Sequence, residues 1–203
     1  MDKQFWNERY ASENYVYGTS PNEFFKHTLD KLSPGKLLLP AEGEGRNAVY
    51  AAKCGWQVYA YDQSEQGQKK AIRLAEKESV RIDYQLFESN NLAYPKSEFD
   101  VIALIFAHFD AKNKSLIHQS LLPFLKPGGK IILEAFSKDH LNYNSINPSV
   151  GGPKDIDVLF SAEEIMRDFQ SIKPELLEEA VINLSEGDFH RGRGSVIRFI
   201  GSK

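Results

Sequence analysis

The sequence predicts an α/β fold: a doubly wound sheet of seven strands, mostly parallel, that ends in an antiparallel C-terminal hairpin. Three observations carry this expectation. Short apolar runs alternate with helix-period segments from Lys36 to Phe136, as successive βαβ units require. The first run, Lys36–Pro40 (KLLLP), and the strongest, Phe99–Phe106 (FDVIALIF), are continuously apolar, as strands covered on both faces should be. The last two apolar runs, Leu176–Leu184 and Ser195–Ile200, have no helix between them and read as a hairpin with Ser185–Gly194 as its loop.

Between these markers the elements follow in order. A helix is expected over Arg46–Cys54, closed by Gly55 where a left-handed cap is wanted. Gln57–Tyr61 is a second strand ending at Asp62, and the Gln-, Lys-, Ala- and Glu-rich stretch Glu65–Glu78 is a helix. Arg81–Leu86 is a weaker third strand. After the fourth strand, Leu116, Ile117, Leu121, Phe124 and Leu125 stand at helical spacing, and Pro127-Gly128-Gly129 ends that helix before the fifth strand, Lys130–Phe136. A long loop rich in Asn, Gly and Pro runs from Ser137 to Phe160, a length usually tied to function and suited to a lid. Ser161-Ala162-Glu163-Glu164 has the capping-box pattern of a helix start. Helical patterns at Lys3–Glu13 and Pro21–Leu32 precede the first strand, so one domain over 1–203 is expected, with 1–35 as a helical cover on a core of 36–203.

Composition narrows the function classes. The chain has 203 residues, 41% hydrophobic and 26% charged, which is ordinary for a globular protein. With 25 Lys+Arg against 28 Asp+Glu, it gives no reason to expect nucleic acid or an anionic membrane as partner. Cys54 is the single cysteine, so neither an internal disulfide nor a cysteine–histidine zinc cluster is possible. The opening MDKQFWNERY carries charges where a signal peptide needs an apolar core, and the apolar run Val101–Ala107 is too short to span a bilayer. A cytoplasmic, reduced, single-domain protein is the expectation from composition; oligomeric state stays open.

In doubly wound sheets, ligands bind beyond the carboxyl ends of the strands, near the switch point. The first such loop is Pro40-Ala41-Glu42-Gly43-Glu44-Gly45-Arg46-Asn47-Ala48. Gly43 and Gly45 let the backbone turn tightly and approach a ligand, and the next helix offers unpaired N–H groups. Asp62, nineteen residues after Gly43 at the end of the second strand, is placed to accept both hydrogen bonds of an adenosine ribose. A glycine turn and a capping Asp would each be unremarkable alone; together, on consecutive strands, they point to an adenosine cofactor. Gly43-x-Gly45-x-x-Ala48 also satisfies the dinucleotide fingerprint, so a nicotinamide-dependent oxidoreductase is an alternative. The antiparallel terminal hairpin favours S-adenosylmethionine on topology; the helical segment before the first strand and the Leu125–Gly129 turn favour it only by the resemblance that follows.

The ordered set of motifs resembles the class I S-adenosylmethionine-dependent methyltransferases, Rossmann-like enzymes, and within them the small bacterial group related to tellurite-resistance and thiopurine methyltransferases. It consists of Tyr15-Val16-Tyr17-Gly18 with Pro21-Asn22, the Glu42–Ala48 loop, Tyr61-Asp62-Gln63-Ser64, Phe99-Asp100-Val101-Ile102, the Leu125–Gly129 turn, Glu134-Ala135-Phe136 and His190-Arg191-Gly192-Arg193. The resemblance implies Tyr17, Ala41, Glu42, Gly43, Gly45, Asn47, Asp62, Gln63, Glu88, Ser89, Asn90 and Phe106 as cofactor contacts. Asp62 would take the ribose, Gln63 would flank the adenine, Glu88-Ser89-Asn90-Asn91 would read the adenine edge, and Phe106, Ala107 and His108 would border the sulfonium. One departure stands out: Leu39 and Ala41 replace the usual acidic residue and glycine, leaving either Glu42 or backbone groups alone to hold the methionine ammonium.

Methyl transfer from a sulfonium needs alignment more than it needs a metal. A soft sulfur, selenium or tellurium acceptor requires no base, whereas a hydroxyl or protonated amine does. Candidate catalytic residues are His108, Glu134 and His190, each with a structural reading beside it: a loop tether for His108, a buried paired carboxylate for Glu134. Tyr143, Arg191 and Arg193 are candidate substrate-binding residues, the arginines for an anionic group. A non-catalytic module that binds S-adenosylmethionine or its product S-adenosylhomocysteine is the reading from another class, motivated by Leu39 and by the lack of an obvious base.

Overall fold

The computed structural model describes residues 2–87 and 94–203. Two short helices, α1 (Lys3–Arg9) and α2 (Glu23–Leu29), precede the sheet. Then follow β1 (Lys36–Pro40), α3 (Arg46–Lys53), β2 (Gln57–Asp62), α4 (Glu65–Lys77), β3 (Asp83–Leu86), β4 (Phe99–Ile105), α5 (Lys114–Leu121) and β5 (Leu125–Phe136). A four-residue helix α6 (Leu141–Asn144), then α7 (Ala162–Asp168), β6 (Lys173–Glu186) and β7 (His190–Ser202) complete the chain. The seven strands form one sheet in the order β3-β2-β1-β4-β5-β7-β6, in which β7 alone runs against the others, antiparallel to both β5 and β6. The predicted fold class is therefore the observed one. An antiparallel strand inserted between β5 and β6 also separates it from the all-parallel order of dinucleotide-binding domains.

The period of two along the central strands divides the core. On β1 and β4, Leu38, Ile102 and Leu104 face one way, packing with Leu121, Phe160, Ile165 and Phe169 of the α5 and α7 side. Leu37, Leu39, Val101, Ala103 and Ile105 face the other, against Phe25, Leu29, Ala48 and Ala71 of α2, α3 and α4. Both faces are dry, which is why these strands read as unbroken apolar runs.

Local capping sets the helix starts. Ser64 accepts the Gly67 N–H at 3.0 Å to begin α4, and Asn22 accepts the Phe25 N–H at 2.9 Å to begin α2. The expected capping box at α7 is present, Ser161 and Glu164 each bonding the other's backbone.

Three expectations need correction. The helix after β4 does not bury Leu116, which is 63% exposed; its inward face carries His118 and Leu121 instead. His118 stacks between Phe160 and Phe169, at 5.5 and 5.1 Å, and its Nδ1 meets the Asp168 carboxylate at 2.8 Å, so a paired imidazole takes an aliphatic place. That helix also stops at Leu121, and the glycine turn lies inside β5, where the register jumps from Phe99↔Leu125 to Val101↔Lys130. Finally, the terminal hairpin is longer than its apolar runs. Pairing runs without interruption from Leu176↔Ile200 up to Glu186↔His190, leaving only 187–189 as the turn, so the basic segment His190–Arg193 is strand.

Gly45 has φ +86°, and a Cβ there would lie 2.5 Å from the Ala71 Cβ and 2.8 Å from its Cα, so α3 and α4 meet at a site only glycine fills. Gly128 also has positive φ, but nothing lies within 4 Å of its would-be Cβ. Gly45→Ala is expected to lower unfolding free energy by about 2–5 kcal/mol and Gly128→Ala by only about 1–2 kcal/mol. Urea midpoints of the two variants check this; equal losses would contradict the α3–α4 contact as the cause.

Candidate active site

The switch point lies between β1 and β4, which pair in parallel at Leu37↔Val101 and Leu38↔Ile102. Both strands end in a non-glycine residue forced to positive φ, Ala41 at +53° and Phe106 at +50°. Such backbone costs about 1–3 kcal/mol and marks places where the chain must turn sharply. The two turns open a cavity of about 340 Å³ whose wall includes both residues.

The loop after β1 is organised by buried carboxylates. Glu42 accepts the Asn47 and Ala48 N–H groups at 2.8 and 2.7 Å, so it satisfies the first turn of α3, whose own cap, Gly45, has no side chain to do so. Asp62 accepts the Gly43 N–H at 3.0 Å and the Ser64 N–H at 2.8 Å, tying the end of β2 to the same loop. Glu44 turns the other way: it accepts the Val16 N–H at 2.8 Å and pairs with buried Lys70 at 2.5 Å, fastening the N-terminal segment. Burial raises Glu42 from 4.5 to about 7, the hydrogen bonds from Ala48 and Asn47 opposing it, and raises Asp62 from 3.8 to about 6.

Of the residues the sequence singles out, Tyr17, Ala41, Glu42, Asn47, Asp62, Gln63, Phe106, His108 and His190 line this one cavity. Gly43 and Gly45 lie behind its wall, against Tyr10 and Ala71 respectively. Glu88, Ser89 and Asn90 lie outside the described residues.

The remaining candidates lie elsewhere. Glu134 is not in the wall: it is 1% exposed, with one oxygen accepting from Asn22 Nδ2 and the other from Arg198 Nε, both at 2.6 Å. Its pKa is raised by burial, with Arg198 opposing. Arg191 points to solvent, its guanidinium on Asp188 at 2.9 Å and on the Gly187 carbonyl at 2.7 Å. Arg193 is exposed on β7, and Tyr143, on α6, stands away from the cavity, because the basic segment is a strand whose side chains alternate and only His190 turns inward.

His108 and His190 differ in how they are held. His108 Nδ1 lies 3.4 Å from the Val158 carbonyl and Nε2 3.5 Å from the Phe136 N–H, and burial pushes its pKa down to about 3. His190 Nδ1 meets Glu186 at 3.0 Å, and its ring packs at 4.6 Å against both Tyr17 and Phe106.

Sequence reasoning missed Phe5, Trp6, Arg9 and Tyr10, which form one face of α1 over the cavity. Their spacing of four between Phe5 and Arg9 and between Trp6 and Tyr10 is a helical-face signal that was present in the sequence. Phe87, Phe109 and Phe136 are further wall residues with no such signal.

A family model described as a methyltransferase domain matches residues 40–129, from the end of β1 to the glycine turn in β5. Solved structures extend the likeness to nearly the whole chain. TehB from Haemophilus influenzae superposes with a TM-score of 0.73 over 99% of this chain and 66% of that one, at 19% identity. The protein solved for the conversion of a disulfide bond into a thioacetal group during echinomycin biosynthesis gives 0.75 over 98% and 90%, at 15% identity. The fold is that of a class I methyltransferase. Among curated proteins, the chain is 28% identical over 133 residues to the ubiquinone/menaquinone biosynthesis C-methyltransferase UbiE of Hydrogenovibrio crunogenus, a match over 55% of this chain and 52% of that protein. The chain thus spans about half the length of that relative. In this methyltransferase fold, the cavity occupies the switch-point position where the sequence motifs cluster. Among the described residues no group of three or more His, Cys, Asp or Glu could hold a metal, and no helix is long and apolar enough to cross a membrane.

The raised carboxylates fix the sign of a pH effect. A group that binds its proton more tightly when folded adds stability below its unfolded pKa and loses it as pH rises through the folded value. Glu42 therefore withdraws stability between about pH 4.5 and 7, and Asp62 between about 3.8 and 6. The difference in unfolding free energy between wild type and Glu42→Gln should change across pH 4.5–7 in the variant's favour. Urea titrations at several pH values measure it; a difference independent of pH would contradict the assignment.

Proposed function

We propose that the chain is an S-adenosylmethionine-dependent methyltransferase acting on a small molecule, with residues 1–203 working as one unit. The observation that carries this reading is the pair of desolvated carboxylates, Glu42 and Asp62, at the switch-point cavity of a class I methyltransferase fold. The sequence matches to a methyltransferase domain and to UbiE support the same reading.

The donor set suits that cofactor. Asp62 accepts the Gly43 N–H on one oxygen and the Ser64 N–H on the other, and a carboxylate oxygen so placed can also take a ribose hydroxyl. A methionine ammonium beside Glu42 would return to that carboxylate a favourable charge partner, which its burial makes valuable. Tyr61 and Phe87, with ring centroids 5.1 Å apart, both line the cavity and offer an aromatic wall to an adenine. When bound, S-adenosylmethionine supplies an electrophilic methyl carbon on a sulfonium whose departure leaves a neutral thioether. The chain's part is to align an acceptor in line with that carbon and keep bulk water out, with α1 and Tyr17 over the opening and the aromatic face of Tyr17 towards a cation. Resemblance to tellurite and thiopurine enzymes suggests a soft nucleophile as acceptor, an argument from family likeness alone.

Calorimetry should detect S-adenosylhomocysteine binding to the wild type, weakened in Asp62→Ala by roughly the 1–3 kcal/mol of a lost charged hydrogen-bond pair. The absence of binding at millimolar ligand would overturn the proposal.

A further inference from the structure

His190 and Glu186 form an arrangement that neither cofactor binding nor the fold requires. Glu186, the last residue of β6, is directly paired across the hairpin with His190, the first of β7. Its Oε2 meets His190 Nδ1 at 3.0 Å and Arg46 Nη2 at 2.8 Å, while its Oε1 accepts from Asn22 Nδ2 at 3.0 Å. Burial raises this carboxyl, but Arg46 and His190 overcome burial and hold it near about 2, so it is an anion throughout the neutral range. An anion can only accept, so Nδ1 carries the proton and Nε2 keeps its lone pair.

That Nε2 makes no hydrogen bond within the described residues, and it is not sealed inside the protein; the ring lines the cavity. Among the three candidate bases it is the one so placed. Both nitrogens of His108 face backbone groups, and both oxygens of Glu134 are occupied away from the cavity.

We infer that His190 is the general base of this cavity, with Glu186 as the positioning residue that fixes its tautomer, and that the acceptor is a phenolic or enolic hydroxyl on a flat apolar molecule. This rests on the proposed methyltransferase function and replaces the soft acceptor that family likeness alone suggests with a hydroxyl. Soft nucleophiles need no base, so a built base is evidence for an acceptor that must lose a proton. Phe106, Phe109, Phe136 and Trp6 supply a wall suited to a ring. A phenol ionises near pH 10, as tyrosine does, within reach of an imidazole when a cation is close, and Arg9 and Arg46 both line the cavity. In the step asked of the chain, the acceptor O–H bond breaks, its electron pair stays on oxygen, and the proton passes to Nε2. The resulting imidazolium is offset by Glu186.

Burial lowers the pKa of His190 from 6.5, and Glu186 opposes that fall. The charged and titratable groups facing the ring are Glu186 on β6, Arg46 on α3, Arg9 on α1, Tyr17, His108 and His140. Nε2 is therefore unprotonated at neutral pH, and turnover should rise through a limb below pH 6.5.

The test uses the full chain with ¹⁵N-labelled histidine, S-adenosylhomocysteine calorimetry, and turnover of catechol and 2-naphthol. The wild type should show His190 as the Nδ1–H tautomer, and Glu186→Gln should shift it towards Nε2–H and lower its pKa. His190→Gln should lose at least 100-fold in phenol turnover at neutral pH while changing S-adenosylhomocysteine affinity less than threefold. Glu186→Gln should lose about tenfold and move the acid limb of the phenol profile to lower pH. An Nε2–H tautomer in the wild type, phenol turnover within threefold in His190→Gln, or a wild type that binds S-adenosylhomocysteine yet turns over neither phenol would overturn the inference. Failure of the wild type to bind S-adenosylhomocysteine instead defeats the methyltransferase reading, and the tautomer measurement does not depend on it.

Discussion

The cavity depends on one continuous chain of hydrogen bonds that begins at the helix cap after β1. Glu42 holds the first turn of α3 and accepts from Asn47 Nδ2 at 3.3 Å; Asn47 Oδ1 accepts the Asn22 N–H at 2.9 Å. Asn22 passes its amide to Glu186 at 3.0 Å, and Glu186 holds His190. Five side chains from the N-terminal segment, the switch-point loop, α3 and the hairpin are thereby held in one relative placement. The links from Glu42 to Asn22 are buried and those at Glu186 are partly buried, and a buried polar group without a partner costs about 1–3 kcal/mol, so the links depend on one another. This explains how loops that would otherwise vary can present a fixed wall to a ligand.

The same network accounts for the way charge is distributed. The near-neutral total hides buried ions that are matched locally: Glu44 with Lys70, Glu186 with Arg46, and Glu134 with Arg198. Glu134–Arg198 joins facing residues of β5 and β7 within the sheet, Glu186–Arg46 ties the hairpin to α3, and Glu44–Lys70 ties the loop after β1 to α4, where Glu44 also holds the N-terminal segment. Glu42 and Asp62 are the exceptions. They form no ion pair: backbone N–H groups hold both, with the Asn47 amide and the more distant Arg46 charge also acting on Glu42, and burial lifts both.

Much of this was legible in the sequence because the central strands are dry on both faces and the loops between them carry glycine and acidic residues at fixed offsets. Lys36–Pro40, Phe99–Ile105, Asp62 and the Ser161 capping box were all readable from local pattern. What was not legible depends on pairing between distant segments. The hairpin strands extend well past their apolar runs because each residue bonds its partner across the ladder, so His190 moved from a loop to a strand and Glu186 became its neighbour. Leu116 misled for the opposite reason: its spacing fits a buried face, yet the buried position belongs to His118, whose partner Asp168 is fifty residues away. Glu134 drew attention as a buried carboxylate, and only the contacts with Asn22 and Arg198 reveal that it joins two elements at the back of the cavity.

The central claim is that the crevice between β1 and β4 takes an adenosine cofactor across Asp62 and Glu42, with its reacting end towards Phe106 and His190. A crystal structure of the complex with S-adenosylhomocysteine tests it most directly. Both ribose hydroxyls are expected on the Asp62 carboxylate, the amino group within hydrogen-bonding distance of Glu42 or the adjacent loop carbonyls, and the sulfur opening onto the space beside His190 Nε2. A ligand seated elsewhere, or one in this cavity with Asp62 bonded only to the Gly43 and Ser64 N–H groups, would contradict it.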